Sequence, residues 1–548
     1  MNSHLKRATN IAGLLAIATA GLTACSSSKT TSATSATTAA SSAASSAAST
    51  AGSSATTAGS TAQTASMTIA MGNEPQSLDP AKDDNGDGLY AAELLYAPLI
   101  HETYQGTFTP ALASSWKYVG TGNTEFQVTL RSGAMFSDGT PVTADAVVKS
   151  LLYTSKGSGP AGSQLPGLTA TATSTDTVLL KTTAPVASFP AALSQVNLVG
   201  DIICPSVLSN PSSIASAPCG AGPYVLDSTG TVSGTVYKFS PNPHYFDPSS
   251  IHYKSFYLKV ISSPSAALSA VQTGQAQVIT YLDTTLQQFS AAQHSGVQVD
   301  TAGETNFIPV WIMDRFGTLD KPLGNVMVRQ ALNYAVHRNQ ISKAVFGALG
   351  AFDDEPTTPG HTGYDPAYAN YYSYNPAKAK SLLAQAGYPN GFSMNIIYIT
   401  SMAPIQEALQ AVIQEWAQIG VKVTLAPESG FPSFSPAQAT KQYAAFSLGP
   451  WGGPFPGTAN LVWISHSGAN AFYATTPAAL ALWNTAQTSS QSNYPAALRA
   501  FTDYTITNAW FVDLGATKSF TIAAKGVTGL PPTGNSLPAD FNVLDLQG

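Results

Sequence analysis

The sequence is poor in charge, in cysteine and in long apolar runs, and each shortage narrows the class of protein. Only 10% of its residues are charged, and 24 Lys and Arg stand against 30 Asp and Glu, a formal net charge of −6. A nucleic-acid-binding protein would show a basic patch or stripe, so this balance argues against that class. Beyond the N-terminal segment, no apolar stretch approaches the roughly 20 residues that span a bilayer. The folded part is therefore expected to be soluble.

Motifs of common catalytic and nucleotide-binding sites are also missing. The Gly-Lys dipeptide of a P-loop does not occur, no G-x-S-x-G is present, and no two His have the spacing of a zinc-binding helix. Gly157, Gly159 and Gly162 spell G-x-G-x-x-G, but they follow a predicted helix and enclose Pro160. This stretch is interpreted as a loop. We predict a protein that is not an enzyme and that has no cofactor or metal.

The N-terminus has the pattern of an export signal. Lys6 and Arg7 precede an apolar run at 11–22, which is too short to span a bilayer. The following Leu-Thr-Ala-Cys resembles a bacterial lipobox, in which the cysteine becomes the lipidated first residue. Residues 1–25 are therefore predicted to be a signal peptide, with lipidation at Cys25. An ordinary signal peptide with an incidental cysteine is the alternative.

The segment that follows is almost devoid of apolar and charged side chains. Residues 26–66 are nearly all Ser, Thr, Ala and Gly, and they have too little apolar surface to bury for folding. They are predicted to be a disordered linker that tethers the folded body to the anchor. The body begins at residue 67 and is long enough for two or three lobes with their own cores.

Of the three cysteines, two lie in the body. Cys204 and Cys219 are close in sequence, and such a pair in an exported protein is predicted to form a disulfide. Closing this loop would contribute roughly 3 kcal/mol in the chain-entropy model. Free thiols or a metal-binding pair are the alternatives, although no Cys or His follows at the spacing of a zinc finger.

Strands and helices alternate along the body, which indicates α/β lobes. Period-two alternation predicts strands at Ser66–Met71 and Phe126–Gly133. Helices are predicted after a capping Thr143, from a capping Asn375 to Gly387, and from Pro404 to Gly420.

One loop resembles a calcium-binding loop. Asp83, Asn85 and Asp87 meet the pattern D-x-[DN]-x-[DN]-G, but the acid that closes the calcium cage belongs at Leu94, and Glu93 is one residue early. A ligand one residue out of register on a helix is rotated by about 100°. Asp87 is therefore interpreted as a helix cap and the other acids as solvated, with calcium binding left as an alternative.

Several longer blocks share their order and spacing with one protein family. They are Asn73–Ala81 (NEPQSLDPA), Leu94–Ile100 (LLYAPLI), Thr109–Tyr153, Cys219–Leu226 (CGAGPYVL), Asn242–Phe246 (NPHYF), Val328–Ile341 and Tyr374–Phe392. The Thr109–Tyr153 block includes Pro-Ala-Leu-Ala, a Trp soon after, and Phe-x-Asp-Gly-Thr-Pro before a helix. The body thus resembles the family 5 solute-binding proteins of bacterial ABC importers.

This resemblance implies an α/β, bilobed periplasmic-binding-protein-like fold of class II (cluster C), with a third, inserted subdomain. Lobe I would comprise 67–100, 221–300 and 512–548, the insert 101–220, and lobe II 301–511. In this family the lobes close around a ligand, a population shift towards the state that the ligand contacts best.

The resemblance also implies the function. We expect a lipid-anchored binding protein on the outer face of the cytoplasmic membrane that captures a peptide or peptide-like solute. It is expected to be a monomer and to bind no nucleic acid. Its partners would be the solute and the permease and ATPase subunits of an importer. A neutral saccharide as the solute is one alternative, and a surface adhesin or structural lipoprotein is another.

The expected ligand site departs from the family at one position. Peptide binders of the family carry an acid in a segment resembling Trp-x-x-Asp-Tyr-x-x-Pro, where the acid pairs with the peptide amine. The corresponding stretch at 449–463 has the Trp but no acid at all. The candidate ligand-binding residues are Trp451, Gly452, Gly453, Phe455, Trp463, Asn306 and Trp311. For the aromatic residues, core packing is the alternative to ligand contact.

Overall fold

The computed structural model describes residues 65–83, 86–104, 106–280, 286–400, 403–449, 455–531, 543 and 545–547. The predicted signal peptide, the lipobox cysteine Cys25 and residues 26–64 of the predicted linker lie outside this part of the chain. The described residues alternate between strands and helices, as predicted.

The strands are β1 (Ser66–Met71), β2 (Ile100–Glu102), β3 (Phe108–Pro110), β4 (Ala113–Tyr118), β5 (Glu125–Leu130), β6 (Thr169–Ala172), β7 (Thr177–Lys181), β8 (Tyr224–Leu226), β9 (Val236–Pro241), β10 (Ser255–Val260), β11 (Val278–Ile279), β12 (Gln298–Ile312), β13 (Gly350–Ala351), β14 (Ser393–Ile399), β15 (Lys422–Glu428), β16 (Ala445–Ser447) and β17 (Phe511–Ala523). The helices are α1 (Gly88–Leu95), α2 (Ala144–Thr154), α3 (Phe189–Ala192), α4 (Pro205–Leu208), α5 (Pro264–Gln272), α6 (Leu286–Gln293), α7 (Val326–Tyr334), α8 (Arg338–Phe346), α9 (Pro376–Gln385), α10 (Ala403–Gln418), α11 (Phe431–Gln438), α12 (Phe455–Ala459), α13 (Pro477–Thr488) and α14 (Tyr494–Thr507).

One sheet extends through both lobes. Its strand order is β15-β14-β16-β12-β17-β11-β1-β10-β9-β8, and β13 pairs with β17 beside this path. The long strands β12 and β17 run antiparallel, from Gln298 opposite Ala523 to Trp311 opposite Phe511. Near Ala523, β17 also pairs with β11. Near Trp311, at the opposite end of the pair, β12 also pairs with β16. Two chain crossings therefore join two α/β halves, which confirms the predicted bilobed fold.

A smaller unit leaves the main sheet between β1 and β8. It contains the antiparallel sheet β4-β5-β7-β6 and the hairpin of β2 with β3. Phe126 and Phe189 stack in its core with ring centroids 4.8 Å apart, and Tyr118 meets Phe126 edge-on. Aromatic pairs of this kind add about 0.5–1.5 kcal/mol beyond the burial of their area. This unit lies in the part of the chain where the inserted subdomain was expected. Its predicted borders, 101–220, stay a prediction.

The helix-capping predictions are confirmed where they rest on local sequence. The Thr143 hydroxyl accepts a hydrogen bond from the Ala146 N–H at 3.3 Å, at the start of α2. The Asn375 side chain accepts one from the Lys378 N–H at 2.9 Å, at the start of α9. Just beyond α9, Gly387 has φ = +89°, a left-handed conformation that other residues adopt only at a cost.

The predictions for the calcium-like loop are wrong at two positions. Asp87 precedes α1 but makes no side-chain cap; its carboxylate instead accepts hydrogen bonds from the Asn73 N–H at 2.9 Å and the Thr280 hydroxyl at 3.1 Å. Asp83 is only 2% exposed and is not solvated. A side chain at Gly88 would overlap the Asp83 carboxylate, so this glycine leaves the space in which the acid lies. Donors outside α1, not the end of that helix, bind these two acids.

Cys204 and Cys219 form a disulfide in the structure, with 5.3 Å between their Cα atoms. The Cys204 N–H also donates to the Cys219 carbonyl at 2.9 Å. Asp138 lies near both sulfurs, and these three residues form the one group among the described residues with metal-like spacing. Because the sulfurs are bonded to each other, they are not available as thiolate ligands. The geometry therefore favours the disulfide over a metal-binding pair.

A buried charge network ties the beginning of α8 to β17. The Arg338 side chain donates to the Asn333 carbonyl at 3.1 Å and the Tyr372 carbonyl at 3.0 Å. Its Nε lies 2.9 Å from an Asp354 oxygen, and 4.0 Å from Asp513, with all three side chains buried. The contact between Arg338 and Asp354 is an ion pair, but its angle is outside the range of a hydrogen bond. Burial raises the pKa of Asp354, and the Arg338 charge opposes this shift.

Candidate functional site

A cleft of about 360 Å³ lies between the inserted subdomain and lobe I on one side and lobe II on the other. This volume is within the range of about 300–1,000 Å³ that small-molecule sites occupy. On the first side it is lined by parts of α1, by β2 with the loop after it, and by the segment 187–197. On the second side it is lined by the loop 360–362, by α12 and by the beginning of α14.

Hydrogen bonds connect the two sides beside the cleft. The Asn123 amide donates to the carbonyls of Gln487 at 2.8 Å and Ser489 at 2.7 Å. The Gln491 amide donates to the Ala187 carbonyl at 2.9 Å, and the Gln487 amide oxygen accepts from the Ala187 N–H at 3.1 Å. Asn123 has φ = +53°, a conformation that Asn tolerates better than most residues. These hydrogen bonds hold the two sides in contact at one edge of the cleft.

Glu102, at the end of β2, is an acid of the cleft wall. The side-chain amide of Gln195 makes two hydrogen bonds with the Glu102 backbone. Its oxygen accepts from the Glu102 N–H at 3.0 Å, and its nitrogen donates to the Glu102 carbonyl at 2.8 Å. The Ser194 hydroxyl donates to the Glu102 carboxylate at 3.2 Å. Burial raises the pKa of Glu102, and the Ser194 hydrogen bond opposes the shift. The carboxylate is thus positioned at the cleft but poorly solvated there.

Two further carboxylates line the same wall. Glu93, on α1, accepts a hydrogen bond from the Val543 N–H at 2.9 Å. Asp545 lies near His101, and burial raises the pKa of this acid while His101 opposes the rise. Burial lowers the pKa of His101 in turn, against the attraction of Asp545. This wall of the cleft therefore combines three acids with a histidine that tends to be neutral.

A histidine also lies on the opposite wall. The His361 Nδ1 is 2.8 Å from the Thr358 hydroxyl. Its Nε2 is buried and has no hydrogen-bond partner among the described residues. Burial lowers the pKa of His361 to about 4, although a hydrogen bond with the Thr358 backbone works against this. The ring is therefore uncharged at neutral pH.

The structure separates the predicted ligand-binding residues into groups. Trp451, Gly452 and Gly453 lie outside the described residues, and for Asn306 and Phe455 only the backbone is described. Asn306 lies in β12 opposite Thr517. Phe455 begins α12, and the next two residues of this helix line the cleft. The segment that was expected to bind ligand thus reaches the cleft, while its aromatic contacts stay predictions.

Trp311 and Trp463 are placed in the core of lobe II. Trp463 is 0% exposed and stacks on Phe511 with ring centroids 5.9 Å apart; it also meets Trp311 edge-on at 5.3 Å. Neither tryptophan is among the residues that line the cleft. The structure therefore favours the core-packing alternative for both. Large aromatic rings fill such interiors because they bury more area than other side chains.

Sequence reasoning missed Glu93, Glu102 and His361. The two acids stand just before and just after the block LLYAPLI, but nothing in their local pattern distinguishes them from surface acids. Their grouping depends on contacts with the distant residues Ser194 and Val543.

Comparisons with known proteins agree with this architecture. The family model of bacterial extracellular solute-binding proteins, family 5 Middle, matches residues 107–472. The glutathione-binding protein GsiB of Escherichia coli (strain K12) is 29% identical over 376 residues, 65% of this chain and 68% of GsiB. The murein tripeptide binding protein MppA of Escherichia coli superposes with a TM-score of 0.69 at 20% identity, covering 89% of this chain and 99% of MppA. DppA of Helicobacter pylori, in complex with the peptide STSA, gives 0.69 at 20% identity, with 87% and 98% covered.

These relatives are binding proteins, and their roles confirm the prediction that the chain is not an enzyme. Among the described residues, no helix is both long and apolar enough to cross a membrane. The match covers more than half of the chain, and the fold and the cleft between lobes agree with it. The chain belongs to the bacterial extracellular solute-binding proteins of family 5, the binding components of ABC importers.

Proposed function

We propose that this protein is lipid-anchored through Cys25 on the outer face of the cytoplasmic membrane and captures a peptide or peptide-like solute. It acts as a monomer and delivers the solute to the permease and ATPase subunits of an ABC importer. The observation that carries this proposal is the cleft of about 360 Å³ between two halves that meet through Asn123, Gln487 and Gln491. The names of GsiB, MppA and DppA support a peptide as the solute.

Trp311 and Trp463 pack against other aromatic side chains and do not line the cleft, so these two rings give no support to the saccharide alternative. Backbone amides and polar side chains, which a peptide needs, are available on both walls of the cleft. Closure buries the solute and replaces its water contacts with protein contacts, so the solute stabilises the closed state.

The proposal is tested by identifying the bound solute. The protein from residue 67 onwards is purified without denaturant and weighed by native and then by denaturing mass spectrometry. A discrete peptide mass that is lost on denaturation is the expected result. For protein that is empty, thermal unfolding is measured with a panel of peptides and oligosaccharides; stabilisation by oligosaccharides alone would support the saccharide alternative.

A substitution in the cleft tests where the solute binds. Thr362 is exposed and lines the cleft, so Thr362→Trp places an indole ring in the space for the solute without disturbing the core. We expect the Kd for the identified solute to rise at least about tenfold. Thr273→Trp is the matched control, since Thr273 is exposed and does not line the cleft. Equal affinity of both variants, measured by calorimetry, would contradict the assignment of the cleft.

Lipid anchoring is tested separately. In bacteria that express the full chain, labelled palmitate is expected to enter the protein, which should sediment with the membranes. Cys25→Ser should lose the label and release the protein into the soluble extracytoplasmic fraction, because one or more acyl chains on Cys25 provide the membrane affinity. A Cys25→Ser protein that remains membrane-bound would argue for an uncleaved signal segment instead.

A further inference from the structure

The cleft has carboxylates but no basic side chain. Glu93, Glu102 and Asp545 line it, and its described lining residues include neither Lys nor Arg. The stretches of 65–548 that the structure does not describe also contain no Lys or Arg, although they include Asp84, Asp283 and Asp540. The sequence therefore offers no cation from these stretches. His101 and His361 are poor cations, because burial lowers the pKa of each ring.

Two acids outside the cleft each pair with a neighbouring lysine. Lys238 lies 2.7 Å from Asp227, and its hydrogen bond lowers the pKa of that acid. Lys181 lies 2.8 Å from Glu125 in the inserted subdomain. No ion pair among the described residues includes Glu102 or Asp545. At the cleft, Glu102 and Asp545 thus lie without a Lys or Arg partner among the described residues.

A further acid, Asp201, is buried behind this wall. Asp201 is 1% exposed, and neither of its carboxylate oxygens has a hydrogen-bond partner among the described residues. The Asp201 backbone forms an isolated antiparallel β-bridge with Pro98, which lies just before β2. Burial raises the pKa of Asp201, and repulsion from Glu93 and Asp83 adds to the rise. Burial without a partner therefore favours the protonated form of Asp201, and this acid adds no charge to the cleft.

We propose, on the basis of the peptide-binding function above, that the cleft selects solutes that carry a protonated amine or guanidinium and no free carboxylate. Glu102 receives the cation of the solute, in place of the acid that segment 449–463 lacks. A solute carboxylate would enter a closed cleft that has no Lys or Arg to pair with it, and it would lose its hydration without compensation. A C-terminally amidated peptide is the simplest solute of this class.

The test uses one peptide in three forms and the full folded body. Bound solute is removed by unfolding and refolding, and calorimetry then measures Ala-Phe-Ala amide, Ala-Phe-Ala acid and N-acetyl-Ala-Phe-Ala amide. We expect the amide with a free amine to bind at least about tenfold more tightly than either other form. Glutathione, which has two carboxylates, is expected not to bind, in contrast to the name of GsiB.

A charge-removing substitution assigns the effect to a residue. Glu102→Gln retains an oxygen for the Ser194 hydroxyl, so the local structure is expected to persist. It should weaken the free-amine amide about tenfold and leave the acetylated amide unchanged. Glu125→Gln is the matched control, because it removes a carboxylate that does not line the cleft, and it should change neither affinity.

The outcomes separate this proposal from peptide binding itself. Equal affinity for the amide and the acid would overturn the charge proposal and leave peptide capture intact. If no peptide form binds but agmatine binds more tightly than arginine, peptide capture is overturned and the charge proposal stands. If none of these compounds binds, both proposals are overturned.

Discussion

The substitution Arg338→Gln is expected to lower the free energy of unfolding by about 3–5 kcal/mol. Arg338 lies 2.9 Å from Asp354 and 4.0 Å from Asp513, and it donates to the carbonyls of Asn333 and Tyr372. Without the guanidinium, two buried carboxylates would face each other with no counter-charge. Burial already raises the pKa of Asp513, and Arg338 is the group that opposes this most. Denaturant-induced unfolding of both proteins measures the difference.

An exposed arginine provides the control for this effect. Arg499 lies on the surface of α14 and donates to the Tyr364 carbonyl at 3.1 Å. Arg499→Gln should change the free energy of unfolding by less than about 1 kcal/mol. Adding Asp354→Asn and Asp513→Asn to Arg338→Gln should recover part of the loss, because it removes the unpaired charges. Similar losses for Arg338→Gln and Arg499→Gln would contradict the role of burial.

The stability of the protein is expected to fall with rising pH because of Glu355. This side chain is 1% exposed, and burial raises its pKa from 4.5 to about 9, with Asp353, Asp503 and Asp365 adding to the rise. Between these two pH values the folded state retains a proton that the unfolded state has released. Folding therefore takes up a proton in this window, and the free energy of unfolding decreases by up to about 1.4 kcal/mol per pH unit.

Glu355→Gln removes this proton linkage. We expect the variant to be more stable than the parent at pH 8, by an amount that shrinks as the pH is lowered towards 5. Asp503, whose pKa burial raises to about 6, remains in both proteins; its repulsion of Glu355 is part of the raised Glu355 pKa and is lost with that carboxylate. Glu407→Gln, at an exposed position of α10, is the control and should follow the parent curve. Parallel curves for Glu355→Gln and the parent between pH 5 and 8 would refute the raised pKa.

Local patterns predicted the elements whose partners are near in sequence. Strand β1, the Thr143 cap of α2 and the Asn375 cap of α9 depend on residues within a few positions, so their patterns were sufficient. The blocks from Asn73 to Phe392 predicted the family and with it the bilobed fold. The same reasoning failed at Asp83 and Asp87, because their partners Ser77, Asn73 and Thr280 come from other turns and strands.

The sequence by itself determined the class of this protein: an exported α/β binding protein with an acidic balance of charge and without a catalytic motif. Only the tertiary structure decided which side chains meet. Trp311 and Trp463 have the same local pattern whether they face a solute or a core, and packing against Phe511 places them in the core. Glu102 became a residue of the cleft through contacts with Ser194 and Gln195. Burial and charge pairing arise between residues distant in sequence, and only folding brings them together.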